Sequence, residues 1–339
     1  MQNVHVLVML WMLGMAACGA TDETRLAQAP ELDATAALDA TPTVPDSGAD
    51  QAASSAVVPV CDAAQLCVFA WRDLRFVVDA AKGGRIIELS MGGTNVLVAQ
   101  GSGAPQYGST FWTSPQADWT WPPPAALDTG AYTARINGAL LELDSGSFSV
   151  QSHSMTVTKR FRVSSQTGVV SIEYAIMNDG ASAVTAAPWE ISRVAPRGLT
   201  FFPNPASGQL LYPGGTFAAL PAQDQDGYTF VSDAAAGTDQ KLFADGGAKG
   251  YLAHLTQDLL FVKAWADVPS ASRAPGEAEV EIYAQGAGTY VELENQGPYA
   301  PIAPGGRATW QVRWSLSRLA SATTARQALE QAADAMAAK

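Results

Sequence analysis

Near the C-terminal end of the chain, Tyr290-Val291-Glu292-Leu293-Glu294 alternates polar and apolar residues. Side chains two apart on a strand share a face, so Tyr290, Glu292 and Glu294 point one way while Val291 and Leu293 point into a core. Two carboxylates then stand on one face, roughly 6–7 Å apart at their Cα positions. Three outcomes are open to such a pair. It can divide into a general base and a raised-pKa acid, because like charges in a shared site push their titrations apart. It can accept hydrogen bonds from ligand hydroxyls without any chemistry, or it can be the solvated side of an antiparallel sheet.

A second concentration of functional side chains is YGSTFWTSPQADWTWPPP, residues Tyr107 to Pro124, with three tryptophans and four prolines in eighteen positions. Proline fixes φ and removes backbone donors, and the segment has neither helical nor two-sided strand patterning, so it reads as a rigid aromatic loop. An indole offers a flat apolar face with one N–H at its edge, which suits a sugar ring stacked on it and hydrogen-bonded around its rim. Trp112, Gln116, Asp118, Trp119 and Trp121 are therefore candidate ligand contacts. The alternative folds the loop onto the core and buries the indoles.

Pro188-Trp189-Glu190-Ile191-Ser192-Arg193 sets Glu190 and Arg193 close in sequence beside Trp189. Either they form a structural ion pair, or Arg193, whose fork holds a carboxylate at two points, orients a ligand-facing Glu190. Asp239, Lys241 and Lys263 are the remaining charged candidates. Lys263 interrupts the run Leu259-Leu260-Phe261-Val262 and must find a partner if it points inward.

Other chemistries find little support. The three histidines, His5, His153 and His254, have no metal-ligand spacing, and His254 reads more readily as a satisfied core or edge residue than as an acid. No Gly-x-Ser-x-Gly elbow, phosphate loop or dinucleotide fingerprint occurs, so no cofactor and no metal is expected.

The elements that must position these groups are short alternating runs, including Leu74–Asp79, Arg85–Ser90, Met155–Val163, Val169–Asn178, Leu259–Trp265, Glu279–Tyr283 and Thr309–Leu316. They are rich in Val, Ile, Thr and aromatics and are separated by Gly, Pro, Asn and Asp. That pattern predicts an all-β domain, a large antiparallel β-sandwich over residues 61–320. One helix follows, within residues 321–339, Ala-rich with Leu329 and Met336 and capped by Ser321 or Thr323.

The N-terminus reads as an export signal. The apolar run Val4–Met15 is too short to span a bilayer, and Met15-Ala16-Ala17-Cys18-Gly19 resembles a bacterial lipobox, so residues 1–18 are a signal peptide with Cys18 as the lipidated residue. Residues 19–60, rich in Ala, Asp, Thr and Pro, read as a disordered tether. Residues 22–50 carry seven acids against Arg25 alone, a net of −6 and half of the chain's −12. The rest is only mildly acidic, which excludes a basic nucleic-acid footprint. Cys61 and Cys67 remain, and an oxidising compartment joins them as a disulfide stapling the first hairpin. The expected location is the cell envelope, on the outer membrane or its periplasmic face, with the lipid as the only membrane contact.

Five blocks together suggest a family. Gly83–Leu97, the aromatic segment, Val184–Pro203, Asp239–Leu255 and Tyr290–Gly306 resemble the bacterial domain of unknown function 4380, which is grouped with galactose mutarotase-like supersandwich proteins. The resemblance covers nearly all of residues 65–318 and implies a two-sheet fold whose concave face holds carbohydrate. In aldose 1-epimerases of that wider fold, a glutamate takes the anomeric proton and a histidine protonates the ring oxygen. Leu293-Glu294-Asn295-Gln296 is similar to the block carrying that glutamate, which makes Glu294 the implied base. The histidine has no counterpart, because Trp189 falls at its place in Ala187-Pro188-Trp189-Glu190. Two functions follow: a carbohydrate-binding lipoprotein, and an enzyme acting on an anomeric centre or a polysaccharide with Glu294 as base. A structural envelope protein is the third reading.

Overall fold

The hydrophobic alternation resolves into two stacked sheets. The computed structural model describes residues 57–204, 210–213, 215–232, 237–320 and 326–338. The first sheet has twelve strands, ordered through Val60–Cys61, Leu66–Trp71, Leu74–Asp79, Arg85–Met91, Ser109–Ser114, Val184–Val194, Val291–Gln296, Val280–Ala284, Gln240–Ala244 and Ala218–Ala219, with two short strands beside this path. The second has ten, and its centre runs Tyr251–Thr256, Leu259–Trp265, Arg307–Arg318, Val170–Asn178 and His153–Val163. Apart from the parallel pairing of Ala218–Ala219 with Gln240–Ala244, the strand pairs named here are antiparallel.

Between the sheets lies an aromatic core. Phe76 of the first sheet sits 5.8 Å from Phe161 and 6.2 Å from Trp314 of the second, and Phe111 stacks on Tyr174 at 4.3 Å. Rings this close add to the area term for burial, so the contacts fix how the layers face each other. Leu259–Trp265 is buried on both faces: Leu259, Phe261 and Trp265 join the core between the sheets, while Leu260, Val262 and Ala264 pack under the helix Arg326–Ala337 through Leu329, Ala333 and Met336. The helix expected at the C-terminal end is thus present, and its proposed caps Ser321 and Thr323 lie outside the described residues.

Cys61 and Cys67 are directly paired across the first hairpin and joined by a disulfide. Residues 57–60, expected in the tether, belong to the fold: Val57 N donates to Val163 O, and Val60 pairs with Val68. The signal peptide, Cys18 and the remaining tether lie outside the described residues.

One expectation is corrected. Tyr107–Pro124 is not a loop throughout, since Ser109–Ser114 is a fully buried strand between Arg85–Met91 and Val184–Val194. A central strand covered on both faces needs no polar side, so Thr110, Phe111, Trp112 and Thr113 fill it without alternation. Gly108 makes the approach possible: its φ is +62°, and a Cβ there would meet Ile86 O at 2.4 Å.

Candidate functional site

Strand parity sorts the candidate residues onto two faces. On Val184–Val194, Trp189 and Arg193 point away from the second sheet, whereas Glu190 points into the space between the sheets. The register continues this division. Trp189 pairs with Trp112, Arg193 with Glu292, Glu292 with Tyr283, Tyr283 with Lys241, and Glu294 with Glu281. Strands distant in sequence thereby carry indoles, carboxylates and a lysine onto one outer face.

All of these except Arg193 and Glu281, which are buried beside it, line a cleft of about 240 Å³. Trp112, Trp189, Lys241, Glu292 and Glu294 form its base, Trp121, Phe217, Tyr283 and Tyr290 its sides, and Gln106, Gln116 and Asp239 its rim. The volume lies just under the ~300 Å³ at which small-molecule sites begin, suited to one compact ring. Aromatic walls with a few convergent polar groups are the usual composition of such sites.

The base is held before any ligand arrives. Trp189 Nε1 donates to Glu294 Oε2 at 3.0 Å, and Trp112 Nε1 donates to Asp128 Oδ1 at 3.1 Å. Both indole N–H groups are therefore committed internally, contrary to the expectation that they would reach a ligand's rim. Trp112 and Trp189 are also almost sealed, 4% and 2% exposed, so the buried-indole alternative holds for both, and they form the cleft's floor rather than an open platform. The two rings meet edge to face at 5.5 Å, and Trp121, 57% exposed, stands 5.8 Å from Trp112.

Lys241 ties the carboxylates together. Its Nζ is 2.7 Å from Glu281 Oε2 and 3.2 Å from Glu294 Oε1, and lies 5.6 Å from the Trp189 ring. Burial pushes Glu294 up to about 8; Lys241 opposes the shift, while Glu281 and Glu292 add to it. Burial likewise lifts Glu281 to about 7, against Lys241 and with Glu277. For Lys241, burial works against the charge but the two glutamates outweigh it, and its pKa is raised. Two carboxyls on one ammonium in a dry site hold about one proton between them at neutral pH. The arrangement contains both a proton donor and an acceptor.

Arg193 completes the base from below. Its Nε donates to Glu292 Oε1 at 2.8 Å, its Nη1 to Thr110 Oγ1 at 2.7 Å, and its guanidinium lies 5.3 Å over the Trp112 ring. The expected pairing of Arg193 with Glu190 is not formed, because residues three apart on a strand face opposite ways. Glu190 instead accepts from Tyr174 Oη at 2.6 Å and Trp314 Nε1 at 3.0 Å, and pairs with Lys263 Nζ at 2.9 Å. Lys263 points inward and finds its partner there, also donating to Leu293 O. Both are fully buried between the sheets, outside the cleft.

Two aromatic-segment residues also fall elsewhere. Trp119 is buried behind Trp112, donating from Nε1 to Thr113 O, and Asp118 accepts from Gln151 Nε2. Gln116 reaches the rim, its backbone N bonded to Glu277 Oε1. His254 lies in the second sheet with Nδ1 2.9 Å from Thr200 Oγ1; burial pushes it down to about 4, so it is neutral and remote from the cleft. Glu281, Tyr283, Gln106 and Phe217 were missed. The alternation Glu279-Val280-Glu281-Ile282-Tyr283 carried the signal for Glu281 and Tyr283, as the neighbouring strand did for Glu292 and Glu294.

No protein-family model matches the sequence, and no curated protein matches it. Solved structures do resemble the fold. A galactose mutarotase-like protein from Lactobacillus casei superposes with a TM-score of 0.55 at 9% identity, over 74% of this chain and 100% of that one. A putative aldose 1-epimerase from Escherichia coli K12 gives 0.53 at 13%, over 74% and 98%. Galactose 1-epimerase from Lactobacillus acidophilus gives 0.50 at 11%, over 78% and 98%. Identities this low speak to architecture alone. The two-sheet arrangement is the galactose mutarotase-like β-sandwich, and this chain has that fold.

Proposed function

We propose that this chain is an exported lipoprotein that binds a saccharide in the cleft on its twelve-stranded sheet. The observation that carries the reading is the convergence of Trp112, Trp121 and Trp189 with Glu292 and Glu294 in one small cavity. Trp112 and Trp189, covered by Arg193 and Lys241, build the floor, and Trp121 with the wall rings Tyr283 and Phe217 offers the surface for a sugar's C–H face while the carboxylates accept from its hydroxyls. The fold shared with proteins named as mutarotases and epimerases supports the same ligand class. The lipobox-like string ending at Cys18 and the acidic segment after it support an envelope location, with the outer membrane favoured.

A second reading has its own observation. Glu294 and Glu281 both meet Lys241, and burial raises both, so the couple can give a proton to a ring oxygen, and Glu294, when the proton resides on Glu281, can take one from an anomeric hydroxyl. Trp189 supplies no titratable acid at the position where epimerases carry histidine.

A glycan panel separates the readings. Turnover lost in Glu294→Gln with binding retained establishes the enzyme. Absence of turnover in the wild type, with binding abolished in Trp121→Ala, establishes the binding module. No binding by any glycan overturns the saccharide reading.

A further inference from the structure

The charge of the cleft is not balanced. Lys241 is the one cation among its described lining residues and is held by Glu281 and Glu294, while Arg193 beneath is held by Glu292. Against these two stand Asp239 and Glu292 in the cleft and the Glu281–Glu294 couple, which carries a further negative charge even while it holds one proton, with Glu277 bonded to the rim at Gln116. Asp239 Oδ1 accepts from the backbone of Gly286, and no cation pairs with it among the described residues. An anionic ligand would thus meet no uncommitted positive group.

The side walls add a second constraint. Trp121, Phe217, Tyr283 and Tyr290 present aromatic surface around these acids, with Phe217 edge-on to Tyr283 at 6.0 Å and Tyr283 6.1 Å from Tyr290. Ring faces with nearby carboxylates attract a desolvated cation through both quadrupole and charge. Arg193 and Lys241 already lie over Trp112 and Trp189 in this way, which leaves the outer rings for the ligand.

Resting on the saccharide reading, we propose that the ligand of this cleft carries a protonated amine, and that an amino sugar with a free ammonium group is the class that fits. Its ring lies among the aromatic side chains, and its ammonium sits toward Asp239 and Glu292. The incoming positive charge also favours ionisation of the Glu281–Glu294 couple. That couple faces Lys241, Glu292, Glu277 and Tyr290 on the cleft side and Lys263 through the sheet. Part of the proton it holds passes to the buffer when the ligand binds, so affinity rises with pH until the ligand's own amine deprotonates.

Calorimetric titration of the purified chain near neutral pH tests this. The probes are glucosamine, galactosamine and mannosamine, their N-acetyl forms, the parent neutral sugars, and glucuronate and galacturonate. The expected result is at least one amine bound about tenfold or more tighter than its N-acetyl and neutral counterparts. Uronates fail to bind, and the heat depends on the buffer's ionisation enthalpy in the sense of proton release. Asp239→Asn, at a half-buried rim position, lowers the amine-to-N-acetyl ratio toward one. Neutral or N-acetylated sugars binding as tightly as the amines, or uronates binding better, overturns the inference and leaves the saccharide reading standing. No binding by any probe overturns both.

Discussion

Replacing Glu294 by Gln asks whether the buried carboxyl carries its proton at neutral pH. Burial, with repulsion from Glu281 and Glu292 that Lys241 only partly offsets, lifts its ionisation to about 8 from an ordinary 4.5. A carboxyl whose pKa is higher folded than unfolded binds the proton more tightly in the folded state. Its contribution to stability is complete below about pH 4.5 and is lost as pH rises toward about 8. Each pH unit in that window costs about 1.4 kcal/mol, so the decline attributable to Glu294 is on the order of 4 kcal/mol. Glu281, lifted to about 7, has the same sign and shares the proton, so the two contributions do not add. Gln keeps the shape, stays neutral throughout, and leaves Lys241 its pairing with Glu281. Urea unfolding from about pH 5 to about pH 9, followed by tryptophan fluorescence, reads the difference. The wild type loses stability across the window, the variant loses much less, and the two curves cross or converge at the acid end. Parallel curves would refute a protonated Glu294.

Two further substitutions separate recognition from folding. Trp121→Ala, at an exposed position, abolishes saccharide binding while leaving stability within about 0.5 kcal/mol, whereas Trp119→Ala, buried behind the cleft, lowers stability by about 3–5 kcal/mol; equal stability losses in the two would contradict their placement. Lys263→Met strands Glu190 between the sheets and lowers stability by about 3–5 kcal/mol. Chemical denaturation checks both, and unchanged stability in Lys263→Met would contradict the buried pairing of Lys263 with Glu190.

Much of the fold was legible because one face of many strands had to be apolar. Leu74–Asp79 and Leu259–Trp265 were bounded correctly from alternation and turn residues alone, and the helix carrying Leu329 and Met336 was found, though it runs Arg326–Ala337 among the described residues. Ser109–Ser114 escaped because burial on both sides erases the period that marks a strand. Within the site, two-residue parity brought Glu292 and Glu294 together. The same rule separates Glu190 from Arg193, where nearness in sequence suggested a pair. Lys241 with Glu281 was beyond reach: their meeting depends on which strands become neighbours, and that order follows from the packing of the whole sheet.

Val184–Val194 serves two masters. Glu190 locks it to Tyr174, Lys263 and Trp314 inside the sandwich, and Trp189 and Arg193 form the floor of the cleft on the other side. The cleft base cannot shift without disturbing the interior lattice, so its geometry is as constrained as that of the core. New preferences among ligands are open chiefly to the periphery, where Gln106, Gln116, Trp121 and Phe217 hang on connections free of that obligation.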